Sequence, residues 1–189
     1  MARQTDIHAD LPLLPRVEGF AVVAMADAAS RFIFRGTADA AEATGAAFGV
    51  ALPVESCRAN RQGLRAALWL GPDEWLLLAE PQEQHGIASA IAGRLAGIPH
   101  SLVEVSDRSQ GLQLDGPGSE DALCSGCPLD LDIAAFPVDA CTRTLFGKAE
   151  IVLWRTAPQA FHLEVARSLV PYVVGLLAAA VRDCQALRT

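Results

Sequence analysis

The chain has 189 residues, 51% of them hydrophobic and 20% charged, with a formal charge of −7 and a pI of about 5.0. That composition supports a packed core without disulfide staples and excludes an intrinsically disordered chain. The acidic balance, with no Lys/Arg stripe, also argues against a nucleic-acid partner, whose phosphates demand a basic face.

Residues 1–19 contain Pro12 and Pro15 and show no sustained period, which predicts an extended N-terminal arm. The opening lacks the apolar segment of about 7–15 residues that a secretory signal carries. The five cysteines, Cys57, Cys124, Cys127, Cys141 and Cys184, are odd in number and irregularly spaced. They fit a reducing cytoplasm better than a disulfide framework. The longest apolar run, Leu169 to Val181, is shorter than the roughly 20 residues that span a bilayer. A soluble, cytoplasmic protein is expected.

Phe20 to Met25 and Arg31 to Gly36 read as strands, and Thr37 caps an Ala-rich helix from Ala38 to Phe48. Pro53 and the polar run Ser56 to Gly63 read as loop. Leu64 to Leu70 and Trp75 to Glu80 are apolar runs joined by Gly71-Pro72-Asp73-Glu74, the signature of a hairpin. Gln84 to Leu95 carries Ile87, Ala88, Ile91 and Leu95 on one helical face, and Gly97 and Pro99 stop it. Ser101 to Ser106 alternates as a strand, which completes the order β-α-β-β-α-β.

The second half repeats this plan. Leu112 to Gly116 matches Phe32 to Gly36 at an offset of 80. Leu68-Trp69 and Pro72-x-x-Trp75-x-Leu77 return as Leu153-Trp154 and Pro158-x-x-Phe161-x-Leu163. With only three tryptophans present, two of them at an offset of 85 point to a duplication. Between these repeats lie a Gly116-Pro117-Gly118-Ser119 turn, a small-residue helix, a proline-bounded irregular passage to Thr144 and a hairpin turned at Phe146-Gly147-Lys148. The expected fold is therefore α+β: two tandem pseudo-repeated βαββαβ-like subdomains, 20–108 and 109–189, each a sheet covered on one face by helices, forming one compact unit. The closing helix, Ser168 to Ala186, is apolar nearly all round. Such a helix is buried on more than one side, which predicts contact with a partner chain.

No catalytic constellation emerges. Cys124-Ser125-Gly126-Cys127 closes a helix, where the dipole disfavours a thiolate, so packing is expected of it rather than redox or zinc chemistry. Gly116 to Ser119 lacks both the dinucleotide pattern and the Walker lysine and reads as a turn, not an anion cradle. Asp130, Asp132 and Asp139 sit around Pro128 and Pro137 without a calcium-loop pattern and read as solvated or backbone-bonded. Of His8, His85, His100 and His162, only the last lies in a strand beside the repeat aromatics, where a hydrogen bond accounts for it. Catalytic, cofactor-binding and metal residues are thus all expected to be absent from this chain.

The stretch around these residues also resembles a known family. Gly126-Cys127-Pro128-Leu129-Asp130-Leu131, Phe136-Pro137, Cys141-Thr142-Arg143-Thr144, Gly147-Lys148-Ala149 and Leu153-Trp154-Arg155 are similar to the signature of the gamma subunit of heterotetrameric sarcosine oxidase. Gly71-Pro72-Asp73-Glu74-Trp75, Val105-Ser106-Asp107-Arg108 and Val165-Ala166-Arg167-Ser168 agree, so the resemblance covers about residues 60–180. It implies a non-catalytic subunit of a bacterial oxidoreductase that demethylates sarcosine to glycine. The other products are hydrogen peroxide and either formaldehyde or, with tetrahydrofolate as co-substrate, methylenetetrahydrofolate. It further implies alpha, beta and delta subunits as partners, with FAD, FMN and NAD in the large chains and zinc in the small delta chain. The implied fold is that of the aminomethyltransferase folate-binding domain. The rival expectations are a cleft between the subdomains that holds folate or another one-carbon carrier, and a free-standing cysteine-dependent enzyme. No position matches the acidic folate motif of the aminomethyltransferases.

Overall fold

A computed structural model describes residues 20–186; the expected arm at 1–19 and His8 lie outside the described residues. The chain runs β1 (Val22–Met25), β2 (Ser30–Gly36), α1 (Ala38–Phe48), β3 (Ala59–Gln62), β4 (Arg65–Gly71), β5 (Glu74–Ala79), α2 (Gln84–Arg94) and β6 (His100–Glu104). It continues through β7 (Ser109–Asp115), α3 (Ser119–Cys124), β8 (Cys141–Phe146), β9 (Ala149–Ala157), β10 (Ala160–Ala166) and α4 (Val170–Ala186).

The strands form two antiparallel five-stranded sheets, β3-β4-β5-β2-β6 and β1-β7-β10-β9-β8. Their inner faces meet, and each outer face carries two helices, α1 and α2 on the first sheet and α3 and α4 on the second. Central strands covered on both faces lose the apolar–polar alternation of a half-exposed strand. Trp75 to Ala79 is accordingly buried without interruption. Phe32, Phe34, Trp75 and Leu77 pack outward against Phe48, Ile87, Ile91 and Leu95 of the first helical layer. Leu112, Leu114, Leu153, Phe161 and Leu163 pack against Val173, Val174 and Leu177 of the second. Leu68, Leu76 and Leu78 meet Cys141 and Trp154 in the seam between the sheets.

Three expectations are corrected. The polar run 56–63 contains β3, an edge strand with only Ala59 buried, so it carries no apolar alternation to betray it. The strand at 22–25, assigned by position to the first half, pairs with β7 in the second sheet. There β1 takes the place that β6 takes in the first sheet, so the boundary at 108/109 does not separate the two sheets. Finally, the tryptophans are not counterparts. Trp69 lies opposite Trp75, whereas Phe161, the counterpart of Trp75, lies opposite Arg155. The true offset is 86, Gly71–Glu74 matching Ala157–Ala160 with a register irregularity at the same place in both hairpins. A one-residue slip turns a side chain to the other face. Trp69 therefore packs on the outer, helical side of its sheet and Trp154 in the seam.

The closing helix also differs from expectation. Val173, Val174, Leu177, Ala180 and Val181 are buried on the second sheet, but Tyr172 and Gly175 on the other face are exposed. With the preceding turn, Arg167–Ala186 makes a 20-residue apolar stretch, one face of which belongs to the core.

Candidate functional site

The inner faces of the sheets are where polar chemistry enters an otherwise apolar interior. Counting across strands, Arg31 in β2 corresponds to Gly111 in β7, and Leu78 in β5 to Glu164 in β10. Arg31 Nε donates to Glu164 Oε2 at 2.6 Å, and both side chains are only 4% exposed. Arg31 Nη1 donates to Ala29 O at 2.8 Å, and His162 Nε2 lies 2.8 Å from Glu164 Oε1. Burial alone would push the Glu164 carboxyl up; the hydrogen bond and charge of His162, then those of Arg31, outweigh it and hold it below the ordinary carboxylate range. Both carboxylate oxygens are engaged, which fits a brace between the sheets rather than a general base. Trp154 stands edge-on to the His162 ring, 6.0 Å between centroids.

Beside this brace the sheets part around a cleft of about 310 Å³. Ile33, Leu70, Leu76 and Val152 line it, and Arg108, Arg143, Glu150 and Glu164 supply its charges. Arg143 Nη2 donates to Glu74 Oε1, which raises its already high pKa. The opposite side of the seam is closed by backbone. Ala59 N donates to Asp139 O at 2.8 Å and Cys141 N to Cys57 O at 2.9 Å.

Of the residues singled out in the sequence, His162 belongs to the brace and Cys141 and Asp139 to the seam, and the others lie elsewhere. The Gly116 and Gly118 amides donate to Gln159 O and Phe20 O, and Ser119 Oγ donates to Gln159 O at 2.9 Å. Gly118 lacks a Cβ because the Phe20 ring lies against it. These donors serve the turn and offer no anion cradle. Asp130 and Asp132 accept from the backbone N–H groups of Asp132 and Ala134. Asp139 lies 3.6 Å from Arg61. Burial, and then the charge of Glu120, pushes the exposed Cys124 thiol up, while Cys127 is buried with its Sγ 3.8 Å from Thr144 Oγ1. Burial pushes Cys141 up to about 12, and its thiol donates to Arg58 O at 3.2 Å. His85 is exposed, and His100 Nδ1 lies 2.7 Å from Ile98 O. Among the described residues no three His, Cys, Asp or Glu side chains converge as a metal-binding group.

Sequence reasoning missed Arg31, Glu164 and Arg155. Their signal was a charge inside an apolar strand run, as in RFIF, HLEV and LWRT. Such a charge must find a buried partner. Arg155 does so through Pro158 O, Glu120 and Leu131 O, and its guanidinium lies 4.5 Å over the Phe161 ring. It thereby anchors the 128–137 passage to β9.

Residues 35–183 match the model of the sarcosine oxidase, gamma subunit family. The chain belongs to that family. Its similarity to the sarcosine oxidase subunit gamma of an Arthrobacter species is 35% identity over 64% of this chain and 59% of that protein. For the subunit gamma of Corynebacterium sp. strain U-96 it is 34% over 76% and 70%. The matched part thus spans about three fifths to seven tenths of these relatives' length. Among solved structures, a chain of the heterotetrameric sarcosine oxidase from Corynebacterium sp. U-96, in complex with pyrrole 2-carboxylate, superposes with a TM-score of 0.80 at 28% identity. The match covers 86% of this chain and 84% of that one. The glycine cleavage system aminomethyltransferase T from Bartonella henselae shares the fold at a TM-score of 0.63 and 11% identity, over 84% of this chain and 45% of that one. The gamma-subunit fold seen here is therefore α+β, two antiparallel sheets with the architecture of an aminomethyltransferase domain.

Proposed function

We propose that this gamma-family chain is a structural subunit of a heterotetrameric sarcosine oxidase. The observation that carries the reading is its superposition on a chain of the Corynebacterium heterotetramer, at a TM-score of 0.80 over 86% of its length. The internal chemistry supports it. The polar groups of the seam brace the sheets, and the thiols of Cys124 and Cys141 are held toward the neutral, unreactive form. Alpha, beta and delta subunits would hold the FAD, FMN, NAD and zinc. The assembly, located in the cytoplasm, would convert sarcosine to glycine, hydrogen peroxide and formaldehyde, or methylenetetrahydrofolate when tetrahydrofolate accepts the carbon. This chain would contribute stability through residues 1–19, the 127–144 passage and the exposed face of α4.

Co-expression with the partner subunits tests the reading. A stoichiometric four-chain complex that loses thermal stability when this chain is omitted is the expected result. An equally stable and active complex without it would remove the proposal.

The inter-sheet cleft favours a second reading, the binding of a one-carbon carrier such as tetrahydrofolate. At about 310 Å³ the cleft lies at the low end of ligand sites, which run to roughly 300–1,000 Å³. Calorimetry of tetrahydrofolate with the isolated chain decides it: heat at micromolar ligand supports the carrier, and silence leaves the structural role alone.

A further inference from the structure

The two sheets can be compared position by position. On the inner face of the second sheet, one cross-strand row runs Cys141, Trp154, His162, Gln113, Ala24. It passes from buried to exposed, and at its exposed end the side chains are polar or small. The equivalent row of the first sheet runs Ala59, Leu68, Leu76, Ile33, Val103. It follows the same gradient: the first three are buried, Ile33 is half-buried and Val103 is 51% exposed. Here, however, the row stays apolar to its end. At these two equivalent positions the second sheet has the polar Gln113 and the small Ala24, and the first has Ile33 and Val103, larger and apolar.

The exposed end of that row is also an open sheet edge. Among the described residues β6 pairs only with β2, in a continuous register without a bulge, and its one charged side chain is Glu104. Natural sheets blunt such edges unless another strand uses them. Arg108 lines the cleft with Ile33 and Val105, just past the end of β6; it is exposed, with no ion pair or side-chain hydrogen bond to the described residues.

We infer that the β6 edge receives an extended segment of a partner subunit, which adds as a sixth strand, continues the apolar row with a side chain beside Val103, and sets a carboxylate against Arg108. Unpaired backbone selects an extended occupant, the apolar row selects its inward side chain, and the unmatched cation selects its charge. The inference rests on the reading of this chain as a subunit, and names the surface through which it joins.

The test compares the full wild-type chain with Val103→Glu and Arg108→Glu, each co-expressed with the partner subunits. Both positions are exposed, so the isolated variants should melt with the wild type while recovered complex falls about tenfold. In the wild type, the β6 amides should gain hydrogen-exchange protection only in the complex. Full recovery with both variants, or β6 exchange equal in complex and free chain, overturns the inference and leaves the subunit reading intact. Protection in the free chain that vanishes on removing residues 1–19, or that grows with its concentration, gives the edge to this chain's own arm or to a second copy and equally overturns it. A wild-type chain that joins no complex takes both readings down together.

Discussion

Arg31 and Gly111 hold equivalent positions in the two sheets, and the guanidinium of the first occupies space that the second leaves free. A Cβ on Gly111 would lie 2.8 Å from His162 Cε1, 2.9 Å from the Ala26 Cβ and 3.2 Å from Arg31 Nη2. Gly111→Ala should therefore cost about 1–3 kcal/mol through overpacking, read from urea melts of the isolated chain. A wild-type midpoint would show that the brace has slack.

Glu164 neutralises Arg31 in a place where water cannot. Glu164→Leu leaves a buried, uncompensated guanidinium and should cost about 3–5 kcal/mol. The double variant Arg31→Met, Glu164→Leu should recover most of that loss, because both charges go together. A double-mutant cycle measures the difference, and additive losses would mean that the pair does not act as a unit.

The same pair sets an acid limit. The Glu164 pKa is lowered in the folded state, so the unfolded chain binds the proton first as pH falls. Its contribution to stability is complete above the unfolded value of about 4.3 and disappears as pH drops through the lower folded value. Denaturant midpoints should fall below about pH 4 in the wild type, and Glu164→Gln should flatten that slope.

Cys141 acts in the opposite direction. Its folded pKa of about 12 exceeds the unfolded one, so the stability it contributes is present at neutral pH and declines as pH rises from about 9 toward 12. Cys141→Ala should lessen that decline in midpoints measured from pH 8 upward. Under native conditions at pH 8, thiol reagents should modify the exposed Cys57 and spare the buried Cys141.

Arg155 stands where the first half has Trp69, and it serves the irregular passage instead of a helix. Its guanidinium satisfies Leu131 O and Pro158 O and pairs with Glu120. Arg155→Met should cost at least about 2 kcal/mol and expose the 128–139 segment to limited proteolysis. Lysine should not rescue it, since a single ammonium cannot reproduce the planar fork.

Much of this architecture was legible because it rests on local rules. Thr37 caps α1 with its Oγ1 accepting from Ala40 N, and Gly49 closes that helix at φ 82°. The Gly71-Pro72-Asp73-Glu74 hairpin and the Ile87-Ile91-Leu95 stripe follow from turn chemistry and helical periodicity alone. The family signature was likewise a matter of residue order. β3 was not legible, because an exposed edge strand shows no hydrophobic alternation. Nor was the Trp69–Trp154 error avoidable from spacing, since a shift of one residue looks trivial in sequence but changes the face of a strand.

The sequence by itself determined the helices, the hairpins other than β3–β4, the duplication and the family, since each depends on neighbours a few residues apart or on the order of short motifs. Only the tertiary structure decided that β1 completes the second sheet, that Arg31 reaches Glu164 across the seam, and that Val103 ends an apolar row at an open edge. Those relationships join residues about 70 to 133 positions apart. They arise when two twisted sheets are laid face to face, which sets cross-strand rows that no local pattern encodes.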